Sequence, residues 1–282
     1  MANRRNFIQH IGLMAGAFSA NSLFNQAHAA EFEHINLQKK LLSPKELAMD
    51  EDYWSVIQQG YTVSPSLINL NNGGVCPSPR IVQEAVEKFN KMSNEGPSYY
   101  MWRILDQGRE PLRYKLAQLA GCDPEEIAIN RNATEALNTV IFGLNLKAGD
   151  EVIVPAATFS SVVSPIYQLG LVPVYVDVSK EDWFLDIEQM ADACSEKTKV
   201  IMPVYNLGFP GRIEKIMEFA TERNIRVLED CCEAHGGERQ GTKLGAFGDV
   251  SALSFFVAHN ITTGEGGMVF SSDPAIDNSL RE

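Results

Sequence analysis

The sequence is poor in several things, and each shortage removes a class of function. Basic residues are few, 24 Lys and Arg against 36 Asp and Glu, leaving a formal charge of −12. Nucleic acid and anionic membrane surfaces both demand basic patches, so neither is an expected partner. An anionic small substrate would have to be held by a few local bases. The five cysteines include an adjacent pair, Cys231 and Cys232, and follow neither a disulfide framework nor CxxC or HxxxH metal spacing. They read as reduced or buried thiols, and no metal is expected. Internal repeats and low-complexity tracts are lacking, and no apolar run is long enough to anchor in a bilayer. What remains is 282 residues, 45% of them hydrophobic, enough for one large globular domain or two with a real core.

The first stretch differs from everything after it. Asn3-Arg4-Arg5-Asn6-Phe7-Ile8 leads into a mainly apolar run from Ile11 to Ala20, then Ala27-His28-Ala29 before Ala30. Basic start, short apolar run and small residues at a cleavage site are the layout of a secretory signal over 1–29, the alternative being a simple amphipathic helix. The paired arginines resemble a twin-arginine signal, which exports folded proteins, so a periplasmic enzyme loaded with cofactor is expected. Once that segment is cleaved, no membrane association remains. Residues 30–67 read as an N-terminal extension.

From Ser64 onward, short apolar or β-branched runs (127–130, 151–155, 172–178, 200–205 and 225–230) alternate with helical stretches. This reads as βαβ units, hence an α/β fold with a mostly parallel sheet and helices on both faces. Ligands bind such sheets beyond the carboxyl ends of the strands. The residues to weigh there are Asn132-Ala133-Thr134, Thr158-Phe159, Asn206, Asp230 and the segment from Ser254 to Gly267.

An acid at the end of an apolar strand, such as Asp230, can keep a pyridinium nitrogen protonated and so make pyridoxal phosphate (PLP) an electron sink. A strand-ending Asp equally serves as a turn cap. Asn132-Ala133-Thr134 precedes a helical pattern, so its amides and hydroxyl could hold a phosphate, or Thr134 could be an ordinary cap. Phe159 could lie on a cofactor ring or belong to the core. Individually each signal is weak; their order along the chain gives them weight.

From about Lys147 onward the chain resembles the DegT/StrS family of PLP-dependent sugar aminotransferases and dehydratases. The likeness rests on 149–155 (GDEVIVP), 228–230 (LED), 245–249 (GAFGD) and 261–267 (ITTGEGG). It implies a fold type I PLP-dependent transferase, with residues 68–282 as its large domain. It further implies that Ala133, Thr134 and Ser254 hold the cofactor phosphate, that Phe159 stacks on the ring, and that Asp230 pairs with the ring nitrogen. Glu233 falls where the family's aminotransferases usually have glutamine near the ring hydroxyl. Members of this family extend well past this length and pair their active sites across a dimer, so a C-terminally truncated large domain and a homodimer are the expectations.

The departure from the family is His259. Five residues after the serine, aminotransferases carry the lysine that binds the cofactor as a Schiff base; here the position is histidine. Imidazole forms no stable Schiff base but can take or give a proton near neutral pH. The nucleotide-hexose 3-dehydratases of the family share this feature, through Ala258-His259. The resemblance therefore implies PLP or its amine form (PMP) bound without a covalent link, a keto-sugar substrate, and His259 and Glu233 as the catalytic groups.

A second resemblance covers about 68–146. Asn71-Asn72-Gly73-Gly74, Ser98-Tyr99-Tyr100 and 130–136 (NRNATEA) are similar to class V aminotransferases of the isopenicillin N epimerase type. That implies an amino-acid substrate, and some such proteins carry export signals. Nucleotide sugars are made in the cytoplasm, so export argues against the sugar-modifying reading, and cytoplasmic placement is the alternative. A protein of this fold without catalytic activity is the third reading.

Overall fold

The computed structural model describes residues 42–64, 66–273 and 276. The expected signal at 1–29 lies outside them, as does residue 30–41 of the extension. No helix among the described residues is long and apolar enough to cross a membrane. The described residues divide into two compact units. One holds those up to Ile68 together with Pro77–Phe89, and the other holds Asn69–Cys76 together with those from Asn90 onward.

In the first unit, α1 (Pro44–Ala48) opens on a capping box, the Ser43 hydroxyl accepting from the Glu46 amide and the Glu46 carboxylate from Ser43. Helix α2 (Glu51–Gln59) is capped by Asp50, whose carboxylate accepts from the Tyr53 amide at 2.9 Å. The start of α3 (Arg80–Glu95) follows an antiparallel bridge between Tyr61 and Pro79.

The second unit is an α/β layer structure. Its strands are β1 (Ile127–Asn130), β2 (Glu151–Pro155), β3 (Val172–Val176), β4 (Thr198–Ile201), β5 (Arg226–Asp230), β8 (Val250–Ser254) and β9 (Gly267–Phe270), with a small hairpin β6 (Glu238–Arg239) and β7 (Thr242–Lys243). The seven-stranded sheet has the order β1-β9-β8-β5-β4-β2-β3. Only β9 runs against its neighbours, β1 and β8; the pairs from β8 through β5, β4 and β2 to β3 are parallel.

Side-chain alternation along each strand feeds two cores. Val152, Val154, Leu228, Ala252 and Val269 pack with α5 (Ala133–Gly143) and α6 (Ser160–Gln168) on one face. Ile153, Val227, Leu253, Met268 and Phe270 pack on the other with α4 (Arg109–Ala120), α7 (Ile187–Ala193) and α8 (Ile213–Arg223). Helices on both faces of a mostly parallel sheet are what the alternating periodicities predict.

Two strand boundaries differ from the sequence expectation. The run expected at 200–205 pairs over Thr198–Ile201, and Val204 makes only an isolated bridge to Asp230. The run expected to reach Val178 stops at Val176, with Val178 bridging to Leu185 instead. In both, apolar residues continue past the ladder because they serve the core after the chain has turned: Val204 and Tyr205 are buried outside any strand.

Candidate active site

Three chain segments meet at the end of the sheet where β1 and β8 stop and β9 begins. Gly267 is opposite Asn130 on one side and Ser254 on the other. A Cβ on Gly267 would lie 2.3 Å from the Asn132 carbonyl carbon and 2.7 Å from the Ala133 nitrogen, so only glycine lets α5 close on the sheet here. Asn132 is extended and caps the helix, its side chain accepting from the Glu135 amide at 2.9 Å. The amides of Ala133 and Thr134 donate to no acceptor among the described residues. Free amides at the positive end of an eleven-residue helix form an anion cradle, and buried Ser254 is the neighbouring hydroxyl across Gly267.

β5 ends on two carboxyl groups that alternation sends to opposite faces. Glu229 is fully buried and accepts four hydrogen bonds, from the amides of Gly245 (3.0 Å), Phe247 (2.8 Å) and Gly248 and from the Tyr205 hydroxyl. Burial raises its pKa and those donors pull it back. Asp249 adds its own carboxylate to the Val227 amide at 2.7 Å. The GAFGD segment is thus a structural latch on β5.

Asp230 is also buried, yet its carboxylate accepts only from Cys232, from the backbone amide at 3.0 Å and from the thiol. No Lys, Arg or His pairs with it among the described residues. Burial therefore pushes its pKa up, and the charge of Glu233 adds to the push. A buried acid without a cation is what a protonated ring nitrogen would complete.

His259 sits on the connection between β8 and β9. The legs of that connection are pinned by the Phe255 amide on the Gly266 carbonyl (2.8 Å) and the Thr263 amide on Phe255 (2.9 Å), and the His259 amide turns back onto Phe256 (3.1 Å). Gly266 permits the approach, since a Cβ there would meet Thr263 Oγ1 at 2.7 Å and Phe255 Cβ at 3.1 Å. The half-buried imidazole has a pKa lowered by burial, against which the Glu233 charge acts. Glu233 is itself engaged: its carboxylate accepts from the Leu207 amide, at a residue with φ of 57°. Its influence on Asp230 and His259 is through charge.

One group escapes the sequence reading, His235. Its Nε2 lies 2.6 Å from the Ser254 carbonyl, its ring stacks on Phe255, and it meets His259 edge-on with centroids 5.9 Å apart. Burial pushes its pKa down to about 4. A histidine two residues past Glu233 offered a signal of residue type only; nothing in the spacing pairs it with residue 259.

Phe159 stands after β2, 76% exposed as a residue and with no ring contact among the described residues, which leaves it open to a cofactor face. Asn206 ties that loop to its neighbour, donating to the carbonyls of Ala157 (3.1 Å) and Trp183 (3.2 Å). Four of the buried polar side-chain atoms without hydrogen-bond partners among the described residues are at these strand ends, Asn130 Oδ1, Thr158 Oγ1, His235 Nδ1 and His259 Nδ1; the others are on helices. An anion cradle, an uncompensated acid and orphaned polar atoms suit a phosphorylated pyridine cofactor. No group of three or more metal-ligating side chains occurs among the described residues.

Fold and site together define an α/β enzyme scaffold of the PLP-dependent fold type I class. An aminotransferase structure from Psychrobacter cryohalolentis matches with a TM-score of 0.64 and 29% identity, over 78% of this chain and 51% of that one. An E. coli GDP-4-keto-6-deoxy-D-mannose-3-dehydratase with bound hydrated PLP matches with a TM-score of 0.57 and 32% identity, over 60% of this chain and 44% of that one. Residues 104–282 match the model of the DegT/DnrJ/EryC1/StrS aminotransferase family, and the chain belongs to that family. The GDP-perosamine synthase of Escherichia coli O157:H7 is 42% identical over 145 residues, which are 51% of this chain and 40% of that protein. The chain spans about half the length of the relatives it matches or less. The family match begins well before Lys147 and takes in much of the stretch similar to class V aminotransferases; that second resemblance gains no support.

Proposed function

We propose that this chain is the cofactor-binding part of a PLP- or PMP-dependent enzyme that acts on a keto sugar without a Schiff-base lysine, with 3-dehydration as its reaction class. The observation that carries this is His259 on the β8–β9 connection, five residues after Ser254, where the family's aminotransferases carry lysine. The likeness to a dehydratase holding hydrated PLP, a cofactor form with no imine link, supports it. Bound PMP supplies an amine for condensation with a carbonyl and a ring that stores an electron pair.

The chain's own residues divide the remaining work. The Ala133 and Thr134 amides and the Ser254 hydroxyl hold the phosphate, Asp230 holds the ring nitrogen and its proton, and Phe159 covers a ring face. His259, its pKa lowered by burial, would take at its imidazole nitrogen the proton lost from the carbon that bears the cofactor's amino nitrogen, and would give it to the substrate hydroxyl that leaves as water. Glu233 keeps a negative charge beside the imidazolium so formed.

Borohydride reduction of the protein with PLP, followed by peptide mapping, tests this. The expected outcome is reversible cofactor binding with no pyridoxyl-lysine, and a new adduct at position 259 in His259→Lys. A pyridoxyl-lysine at one site of the unsubstituted protein overturns the role of His259, and absence of cofactor binding overturns the enzymatic reading. Export through residues 1–29 is part of the proposal: Arg4→Lys with Arg5→Lys should retain the protein in the cytoplasmic fraction. Dimerisation is proposed from the family alone, with light scattering as its check.

A further inference from the structure

His235 is the buried titratable group that the proposed reaction does not use, and its surroundings are specific. Its Nε2 lies 2.6 Å from the Ser254 carbonyl. A carbonyl only accepts, so the proton is on Nε2 and the neutral Nδ1 is left an acceptor. That Nδ1 is buried without a partner. One face of the ring stacks on Phe255, 5.4 Å between centroids and 26° between planes. The edge contact with His259 is 5.9 Å at 65°. His235 thereby joins the last residue of β8 to the side chain on the connection that follows it.

We infer that His235 is a positioning residue for His259: tied to β8 through the Ser254 carbonyl, its ring forms the wall that fixes the His259 imidazole and keeps water from it. The inference rests on the proposed role of His259 as proton acceptor. One charge acts on His259, that of Glu233, while His235 touches it ring to ring and is itself acted on by the His259 charge. Glu233 favours the protonated imidazole by charge, while burial favours the unprotonated form, and the His235 ring, neutral through the physiological range, is part of the wall that buries it. A wall that carried charge of its own would repel the proton His259 is to accept. Burial and the nearby His259 hold His235 neutral against the Ser254 carbonyl, which on its own favours the protonated ring, so the pair stores one proton, on His259.

The test is NMR titration of the His259 imidazole in the cofactor-free protein, in two variants that separate ring from hydrogen bond. His235→Gln retains a donor for the Ser254 carbonyl and removes the ring; it should raise the His259 midpoint toward the ordinary value by roughly half a pH unit. His235→Phe retains the ring and loses the donor; it should leave the midpoint near that of the unsubstituted protein. An unmoved midpoint in His235→Gln, or equal shifts in both variants, overturns the inference. Because no cofactor is present, that result is independent of whether the lysine-free reading survives borohydride mapping.

Discussion

The two acids that end β5 are neighbours in sequence, both buried, and opposite in use. Glu229 receives three amides from residues 245–248 and the Tyr205 hydroxyl; Asp230 receives only the amide and thiol of Cys232, and no cation. Depth alone therefore does not mark a site. A buried carboxylate whose acceptor capacity is filled holds structure, and one left short is waiting for a ligand. The same contrast extends to their surroundings, since the orphaned atoms of Asn130, Thr158, His235 and His259 lie at or past the ends of β1, β2, β5 and β8.

Breaking the structural side should have the largest effect. Glu229→Ala leaves three amides and the Tyr205 hydroxyl without their acceptor and opens a cavity, costing about 4 kcal/mol in urea denaturation. If it costs under about 1 kcal/mol, the latch assignment is wrong. Next comes the acid dependence of stability. His235 titrates near 6.5 when unfolded and at about 4 when folded. Stability present above pH 6.5 is then lost as pH falls toward 4, by about 3 kcal/mol, because the unfolded chain binds the proton first. In His235→Phe the decline of stability over that window should be shallower by the same amount.

Asp230→Asn should sharpen the comparison by leaving stability within about 1 kcal/mol, since the amide oxygen still accepts from Cys232. Its loss should appear in PMP affinity, about tenfold or more by fluorescence titration, equal to about 1.4 kcal/mol. The smallest effect is expected of Glu233→Gln. Removing that charge should lower the His259 titration midpoint by about half a unit, because the carboxylate is the group that favours the imidazolium. A rise instead would mean that Glu233 acts chiefly through its bond to Leu207.

Much of the fold was legible in the sequence because periodicity reports which faces are covered. β1 and β2 fall on the expected residues, and helix α5 begins at the segment expected to open a helix. β4 was displaced because Val204 and Tyr205 are apolar for a core reached after the strand has ended. In the site, strand-end position singled out Ala133, Thr134 and Asp230, and the structure finds free amides at the first two and an acid without a cation at the third. The meaning of GAFGD and ITTGEGG was not, since a glycine is explained only by what would collide with its Cβ: Val227 oxygen at 2.7 Å for Gly248, Thr263 and Phe255 for Gly266, and the Asn132–Ala133 peptide for Gly267.

The sequence by itself determined the alternation of strands and helices, the family likeness and the replacement of the expected lysine by His259. These are properties of order and residue type along one chain. Tertiary structure decided that Glu229 is filled and Asp230 is not, that Glu233 is held by Leu207, and that His235 stands against His259. Each of those depends on contacts between residues 16 to 26 positions apart. Hydrogen-bond capacity and burial are settled by such contacts, and local pattern carries no record of them.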